Sequence, residues 1–336
     1  MSSLFTSKSK VTQAYIWGHE LFKAGIVQRV FDSRPIWAQL KITEKCNLNC
    51  GYCCEHNNSG RHVPVETVFK WIEKCSELGV KHVEFIGGEP LMHPDLFEML
   101  KSAKSHGMNT GFTTNGFLMT DECIEKLMEN GIRRIQLSID CIEPNPVTKK
   151  AFKLLEHQLE QVSKKDILLH VNSVITKDTI QQSIELACIL FDRGVPVAFS
   201  PAHEKGQLSA EMQSEALSSF FSWLTIMKKK GFPVNMPQFL IDYYRNKANG
   251  KSTEWTCEGG CKAFYIDTDG FFRICSHKPS DLKFEDVNLS IIRENHGRKK
   301  GCEGNCGVSC MIVNSFPFCR LGHVVKADLM PRRRQN

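Results

Sequence analysis

Cys46, Cys50 and Cys53 lie in the run CNLNCGYC, with three and then two residues between them. Thiolates are ligands for zinc and for iron-sulfur clusters, and three on one short loop can converge on a single metal centre. A structural zinc site calls for four ligands, usually as two separated pairs, and the fourth here would be the adjacent Cys54 or His56. A 4Fe-4S cube held by only three cysteines instead leaves one iron open to a small molecule.

The whole chain sets the context for these thiols. Its 336 residues are 41% hydrophobic and 24% charged, enough for one large domain with appendages or for two. No apolar run is long enough to cross a membrane and no secretory signal opens the chain, so it is expected to be cytoplasmic, with no membrane span. In that compartment the 15 cysteines read as metal ligands or catalytic groups rather than disulfides. Cys75, Cys123 and Cys188, placed singly on helical faces, read as packing residues. The net charge of +6 rests partly on a terminal run, Arg332 to Arg334, with no basic stripe interleaved with aromatics. Nucleic acid is not expected as a partner.

The elements that position the first three cysteines follow from periodicity. WAQLKI reads as a strand, VETVFKWIEKCSELG as a helix, HVEFIGG as a strand and DLFEMLKSAKSHG as a helix. The alternation continues through NTGFTTNG, DECIEKLMENG, IRRIQLSID, a helix around Lys149 to Val162, ILLHVNSVI, a helix around Ile180 to Phe191 and PVAFSPA. Six such units predict βαβ connections and a parallel sheet, either an open doubly wound layer or a partial barrel. In both, chemistry belongs in loops after the strands, which is where the CNLNCGYC loop falls. Residues 206–250 read as mostly helical. From about Trp255 a smaller Cys-rich domain is expected, built around the hairpin AFYIDTDGFFRI with its Asp-Gly turn. The first 35 residues read as an amphipathic helix covering a barrel end.

CNLNCGYC resembles the signature loop of the radical S-adenosylmethionine (SAM) enzymes. The resemblance implies that Cys46, Cys50 and Cys53 bind a 4Fe-4S cluster whose fourth iron chelates the amino and carboxylate groups of SAM. It places Tyr52 near the adenine. Gly87, Gly88, Glu89 and Pro90 resemble the family's GGEP motif, which receives the SAM amino group. Polar residues at the later strand ends are Thr114, Asn115, Ser138, Asp140, Asn172 and Ser173. Of these, Ser138 and Asn172 are the candidates for hydrogen bonds to SAM ribose and carboxylate, and Pro201 and Ala202 could border the adenine. The implied fold is a partial (β/α)6 TIM-like barrel over 36–205, followed by a helical linker over 206–250. The implied reaction starts when an external one-electron donor, such as flavodoxin or ferredoxin, reduces the cluster. SAM is then cleaved to a 5′-deoxyadenosyl radical, which abstracts a hydrogen atom from the substrate.

A second set of cysteines follows. Cys257, Cys261 and Cys275 resemble the auxiliary-cluster region of the twitch and SPASM subfamilies, with Gly270 at the turn. Cys302, Cys306, Cys310 and Cys319 complete seven candidate ligands in a small α+β domain over 251–325, ahead of a basic tail over 326–336. The spacing from Cys302 to Cys310 departs from the SPASM pattern, so one or two auxiliary clusters, or a zinc knot, stay open. The expected substrate is a small molecule such as a sugar or nucleotide, because roughly 35 residues before the barrel are too few for a peptide-recognition domain. The alternatives are a peptide or protein side-chain maturase and a non-catalytic zinc or iron-sulfur electron-transfer protein.

Overall fold

The computed structural model describes residues 33–319, apart from Cys54, His56, Asn58, Ser59, Ser209 and the side chain of Cys319. The N-terminal amphipathic stretch before residue 33, the basic tail, and the alternative ligands Cys54 and His56 therefore lie outside the described residues.

Six strands run in parallel: β1 (Trp37–Thr43), β2 (His82–Gly87), β3 (Asn109–Thr114), β4 (Arg134–Ser138), β5 (Leu168–Ile175) and β6 (Val197–Pro201). Between them lie α1 (Val65–Glu77), α2 (Leu96–Ser105), α3 (Asp121–Glu129), α4 (Phe152–Ser163) and α5 (Ile180–Asp192). Ala38, Leu40 and Ile42 of β1 are buried, as are Val68, Trp71, Ile72 and Cys75 of α1, so apolar residues of strand and helix share one core. Burying side chains of this size contributes about 1.5–3 kcal/mol each. Thr120 caps α3 by accepting from the Cys123 N–H at 3.1 Å.

After β6 come a two-stranded ribbon, β7 (His203–Glu204) and β8 (Gln207–Leu208), and the helices α6 (Glu215–Lys229) and α7 (Gln238–Ala248). The Cys-rich segment then supplies β9 (Ala263–Ile266) and β10 (Phe272–Arg273), a short α8 (Leu289–Glu294), α9 (Ser309–Val313) and α10 (Phe316–Cys319).

This hairpin does not stand apart from the barrel. β9 pairs with β1 in parallel, and the sheet has eight strands in the order β10-β9-β1-β2-β3-β4-β5-β6. The physical reason is the free edge that an open six-stranded barrel would leave along β1. All four residues of β9 are buried where they cover that edge. The expected Asp-Gly turn is present, with Gly270 at φ 78°, where an L residue would be strained.

Candidate active site

The loop after β1 carries Cys46, Cys50 and Cys53, and its start is clamped by the turn after β2. Gly88 N–H donates to the Thr43 carbonyl at 3.0 Å and Glu89 N–H to the Lys45 carbonyl at 2.8 Å. A Cβ on Gly87 would stand 2.4 Å from the Thr43 oxygen, and one on Gly88 would stand 2.2 Å from the Lys45 oxygen. Both glycines are thus required by close approach of two backbones. Pro90 opens the 3-10 turn Pro90–Met92.

All three thiols are unpaired. Cys46 Sγ lies 3.4 Å from the Leu48 N–H and 3.8 Å from Asn115 Nδ2, two donors of the kind that favour a thiolate. Burial pushes the Cys46 thiol up, and the neighbouring charges of Glu89 and Cys53 act in the same direction. Cys50 is buried, with Sγ 3.6 Å from Thr148 Oγ1. The Cys53 N–H closes a turn onto the Cys50 carbonyl at 3.1 Å.

Glu89 is 0% exposed. Its carboxylate accepts from Thr114 Oγ1 at 2.8 Å, the Asn115 N–H at 2.7 Å and the Leu91 N–H at 3.1 Å. All three donors are neutral, and burial raises the Glu89 carboxyl above its ordinary range. A buried carboxylate with neutral donors has an unmet preference for a cation. Thr114 and Asn115 therefore act here through Glu89 and through Cys46.

A second network was only partly visible in the sequence. Tyr52 OH donates to Asp140 Oδ2, and Lys150 Nζ donates to the Tyr52 oxygen at 3.1 Å. Thr148 Oγ1 donates to the same Asp140 oxygen at 3.2 Å and the Val174 N–H to Oδ1 at 2.9 Å. Asp140 is 5% exposed. It ties the cysteine loop to the ends of β4 and β5. Thr148 and Lys150 belong to no motif and carry no signal in the sequence.

One face of the sheet is polar. Gln39, Glu84 and Tyr265 share a row of register partners, and so do Thr113, Gln136 and His170. Ser138 stands directly beside Asn172. Asn172 Oδ1 accepts from Ser200 Oγ at 2.9 Å, and Ser200 in turn lies 3.0 Å from Ser309 Oγ. Parallel strands are usually apolar on both faces, and closed barrels of this kind are filled with branched apolar residues. At the N-terminal end of the strands, Glu84 pairs with Arg134 and lies 3.2 Å from His82, while Arg134 covers the Trp37 ring at 4.3 Å. Burial pushes the Glu84 carboxyl up, but Arg134 and His82 outweigh it and hold it at about 2.

At the C-terminal end, Glu55 accepts from Tyr265 OH at 3.0 Å and lies 3.5 Å from Lys41 Nζ. His203 and His277 face each other with ring centroids 4.9 Å apart. Burial holds both imidazoles below the usual histidine range, and the Glu55 charge opposes that shift. His203 Nδ1 is buried with no hydrogen-bond partner. Gly307 and Gly206 make room for the pair, since a Cβ on them would stand 2.6 Å from His203 and 2.9 Å from His277. These residues were not foreseen, because they come from four separate segments.

The C-terminal cysteines divide. Burial raises the Cys257 thiol to about 11, with Cys275 and Cys302 adding like-charge repulsion. Burial raises Cys306 too, and its thiol neighbours are Cys257, Cys302 and Cys275. These four form one group. Cys310 has Cys275 as its thiol neighbour and lies 3.7 Å from Gln39 Oε1 on the polar face. The Cys302–Cys306 turn is held by Tyr243 OH on the Cys306 carbonyl at 2.9 Å and by Trp255 Nε1 on the Glu303 carbonyl at 2.9 Å. Cys261 turns toward Glu258 instead.

An open parallel barrel with a three-thiol loop after its first strand defines a radical SAM enzyme. Residues 40–201 match the family described as the Radical SAM superfamily, and this protein is a radical SAM enzyme that uses a 4Fe-4S cluster and SAM. It is 24% identical to GTP 3′,8-cyclase of Clostridium perfringens (strain 13 / Type A) over 273 residues, 74% of this chain and 83% of that one. It is 32% identical to PqqA peptide cyclase of Bradyrhizobium diazoefficiens over 167 residues, 45% of this chain and 44% of that one. The fold matches that of Streptococcus suis SuiB bound to S-adenosylmethionine, with a TM-score of 0.62 at 18% identity over 88% of this chain and 78% of that one. It also matches anSMEcpe with bound AdoMet, with a TM-score of 0.62 at 18% identity over 89% of this chain and 96% of that one. Among the described residues no helix is long and apolar enough to cross a membrane.

Proposed function

We propose that this enzyme abstracts a hydrogen atom from a small polar molecule, a nucleotide or sugar-like metabolite, held on the polar face of the barrel. The observation that carries the reading is that face itself, lined by Gln39, Lys41, Gln136, His170, Asn172 and Ser200 where a packed barrel would be apolar. The 24% identical GTP 3′,8-cyclase, matched over 83% of its length, carries a small-molecule substrate in its name and supports it.

Cys46, Cys50 and Cys53 fit the SAM-binding cluster, since the loop offers three unpaired thiols with N–H donors on one of them. When bound, that cluster and SAM supply the 5′-deoxyadenosyl radical. Glu89 gives the SAM ammonium the cation-seeking carboxylate described above, with the turn of Gly87, Gly88 and Pro90 fixing its place. Asp140 fixes Tyr52 beside the cysteine loop. Ser138 and Asn172 stand side by side to meet polar groups of SAM. Glu55, Lys41, Tyr265 and the two histidines orient the substrate from the same C-terminal end of the strands. Cys257, Cys275, Cys302 and Cys306 fit one fully ligated auxiliary cluster, with Cys310 between that group and the polar face. Flavodoxin or ferredoxin is the proposed electron donor.

A second reading, a peptide substrate, is favoured by the 32% identity to PqqA peptide cyclase. Deuterium transfer separates the two. Anaerobic enzyme with SAM and dithionite is given fractions of an extract from cells grown on deuterated medium. Deuterated 5′-deoxyadenosine should form with the small-metabolite fraction. Its formation with the peptide fraction alone would establish the second reading.

A further inference from the structure

Glu258, Cys261 and His296 lie outside the thiol group and outside the polar face. One ligand atom from each falls within 4.8 Å of the others. Glu258 is 3% exposed and Cys261 0%, while the His296 side chain is open to solvent.

The local sequence builds this meeting. The Cys261 N–H donates to the Glu258 carbonyl at 3.0 Å and the Lys262 N–H to the same oxygen at 2.8 Å, a tight turn that carries both side chains to one side. Its interior is Gly259-Gly260. Gly260 has φ 80°, and a Cβ there would stand 2.6 Å from Ile274 Cγ2 and 2.9 Å from Asn295 Cγ. Only glycine lets the chain following α8 come down on the turn. That chain delivers His296, whose Nδ1 lies 2.9 Å from Glu258 Oε2, and Gly297, whose N–H donates to Oε1 at 3.2 Å. Two positive groups act on the Cys261 thiol: Lys262, next to it in the chain, and Lys300, whose Nζ donates to the Asn295 carbonyl at 2.8 Å.

We propose that Glu258, Cys261 and His296 bind a zinc ion, with a water as fourth ligand on the solvent side of His296. A thiolate, an imidazole and a carboxylate form a donor set suited to zinc and poorly suited to magnesium or calcium, which take oxygen ligands. Zinc would carry two positive charges against the two negative charges of thiolate and carboxylate. With three protein ligands, the ion keeps one position open to water, unlike a closed four-ligand site. It staples the end of α8 to the turn that begins at Cys257, and so steadies the four-thiol group from outside. This reassigns Cys261 from the auxiliary ligands to a separate site.

The test is metal analysis of holoenzyme purified anaerobically from zinc-supplemented cells. The native chain should hold about one zinc in addition to its iron. His296→Ala, a change at an exposed side chain, should weaken zinc retention against a chelator by at least roughly tenfold and leave iron unchanged. Added zinc should raise the thermal midpoint of zinc-stripped native enzyme and leave that of His296→Ala unmoved. Less than about 0.1 zinc per native chain, with no thermal response, overturns the proposal. So does loss of iron from Cys261→Ser or His296→Ala, which would make these residues ligands of an iron centre.

Discussion

The backbones of Gly88 and Lys45 are in contact. The Lys45 carbonyl accepts from Glu89, and a Cβ on Gly88 would sit 2.2 Å from that oxygen. Contacts this short are not tolerated between real atoms, so any side chain at Gly88 must push the β1 exit, and with it Cys46, out of place. Gly88→Ala should therefore lose about one four-iron cluster and at least roughly tenfold in SAM cleavage, while iron on the C-terminal cysteines remains. Iron analysis with a 5′-deoxyadenosine assay checks this. Unchanged values would show that the turn does not set the loop.

Asp140 gathers three groups from separate segments, and its removal should be felt at Tyr52. Asp140→Ala leaves the hydroxyls of Tyr52 and Thr148 and the Val174 N–H without their acceptor. Unsatisfied buried groups cost about 1–3 kcal/mol, which corresponds to roughly 5- to 150-fold in SAM affinity if the network orients the loop. Tyr52→Phe, which removes one donor, should fall at the lower end. Equilibrium binding of SAM to the anaerobic variants measures both.

His170 faces the barrel interior, 3.1 Å from Gln136 Oε1. Burial, aided by Arg134, lowers it to about 3 from an ordinary value of 6.5. The unfolded chain thus takes up this proton first as the pH falls, so the stability contributed by neutral His170 is complete above 6.5 and declines toward 3. The slope from one proton is at most about 1.4 kcal/mol per pH unit. His170→Gln should flatten the decline of the urea midpoint between pH 6.5 and 5. An unchanged slope would place the proton elsewhere.

Glu55→Gln and His203→Ala touch the proposed substrate rim and replace none of the three cluster cysteines. Both should keep reductive SAM cleavage within about threefold while product formation falls by at least roughly tenfold, an uncoupling of radical generation from turnover. Product and 5′-deoxyadenosine are counted in the same reaction. Equal loss of both would assign these residues to SAM binding.

These residues also show what the sequence could reveal. The strand and helix order follows from local periodicity, and the linear motifs announce themselves: Cys46 to Cys53 in one loop and Gly87 to Pro90 in one turn. Helix starts were less legible. The helix expected from Lys149 begins at Phe152, because residues 140–151 are spent on the Asp140, Thr148 and Lys150 contacts. Contacts between distant segments left no local trace. Glu55 meets Tyr265 across 210 positions, and Cys257 joins Cys302 and Cys306 while Cys261, four residues on, turns away. The pairing of β9 with β1 was equally hidden, since AFYI reads as a hairpin strand whichever sheet it joins.

The central claim is that Cys46, Cys50 and Cys53 hold the cluster that cleaves SAM. The direct measurement is 5′-deoxyadenosine formed from SAM and dithionite by the anaerobic variant with all three replaced by alanine, alongside its iron content. Cleavage should be abolished and about four irons lost, with the iron of the C-terminal group and its spectrum retained. Full cleavage by that variant would contradict the assignment.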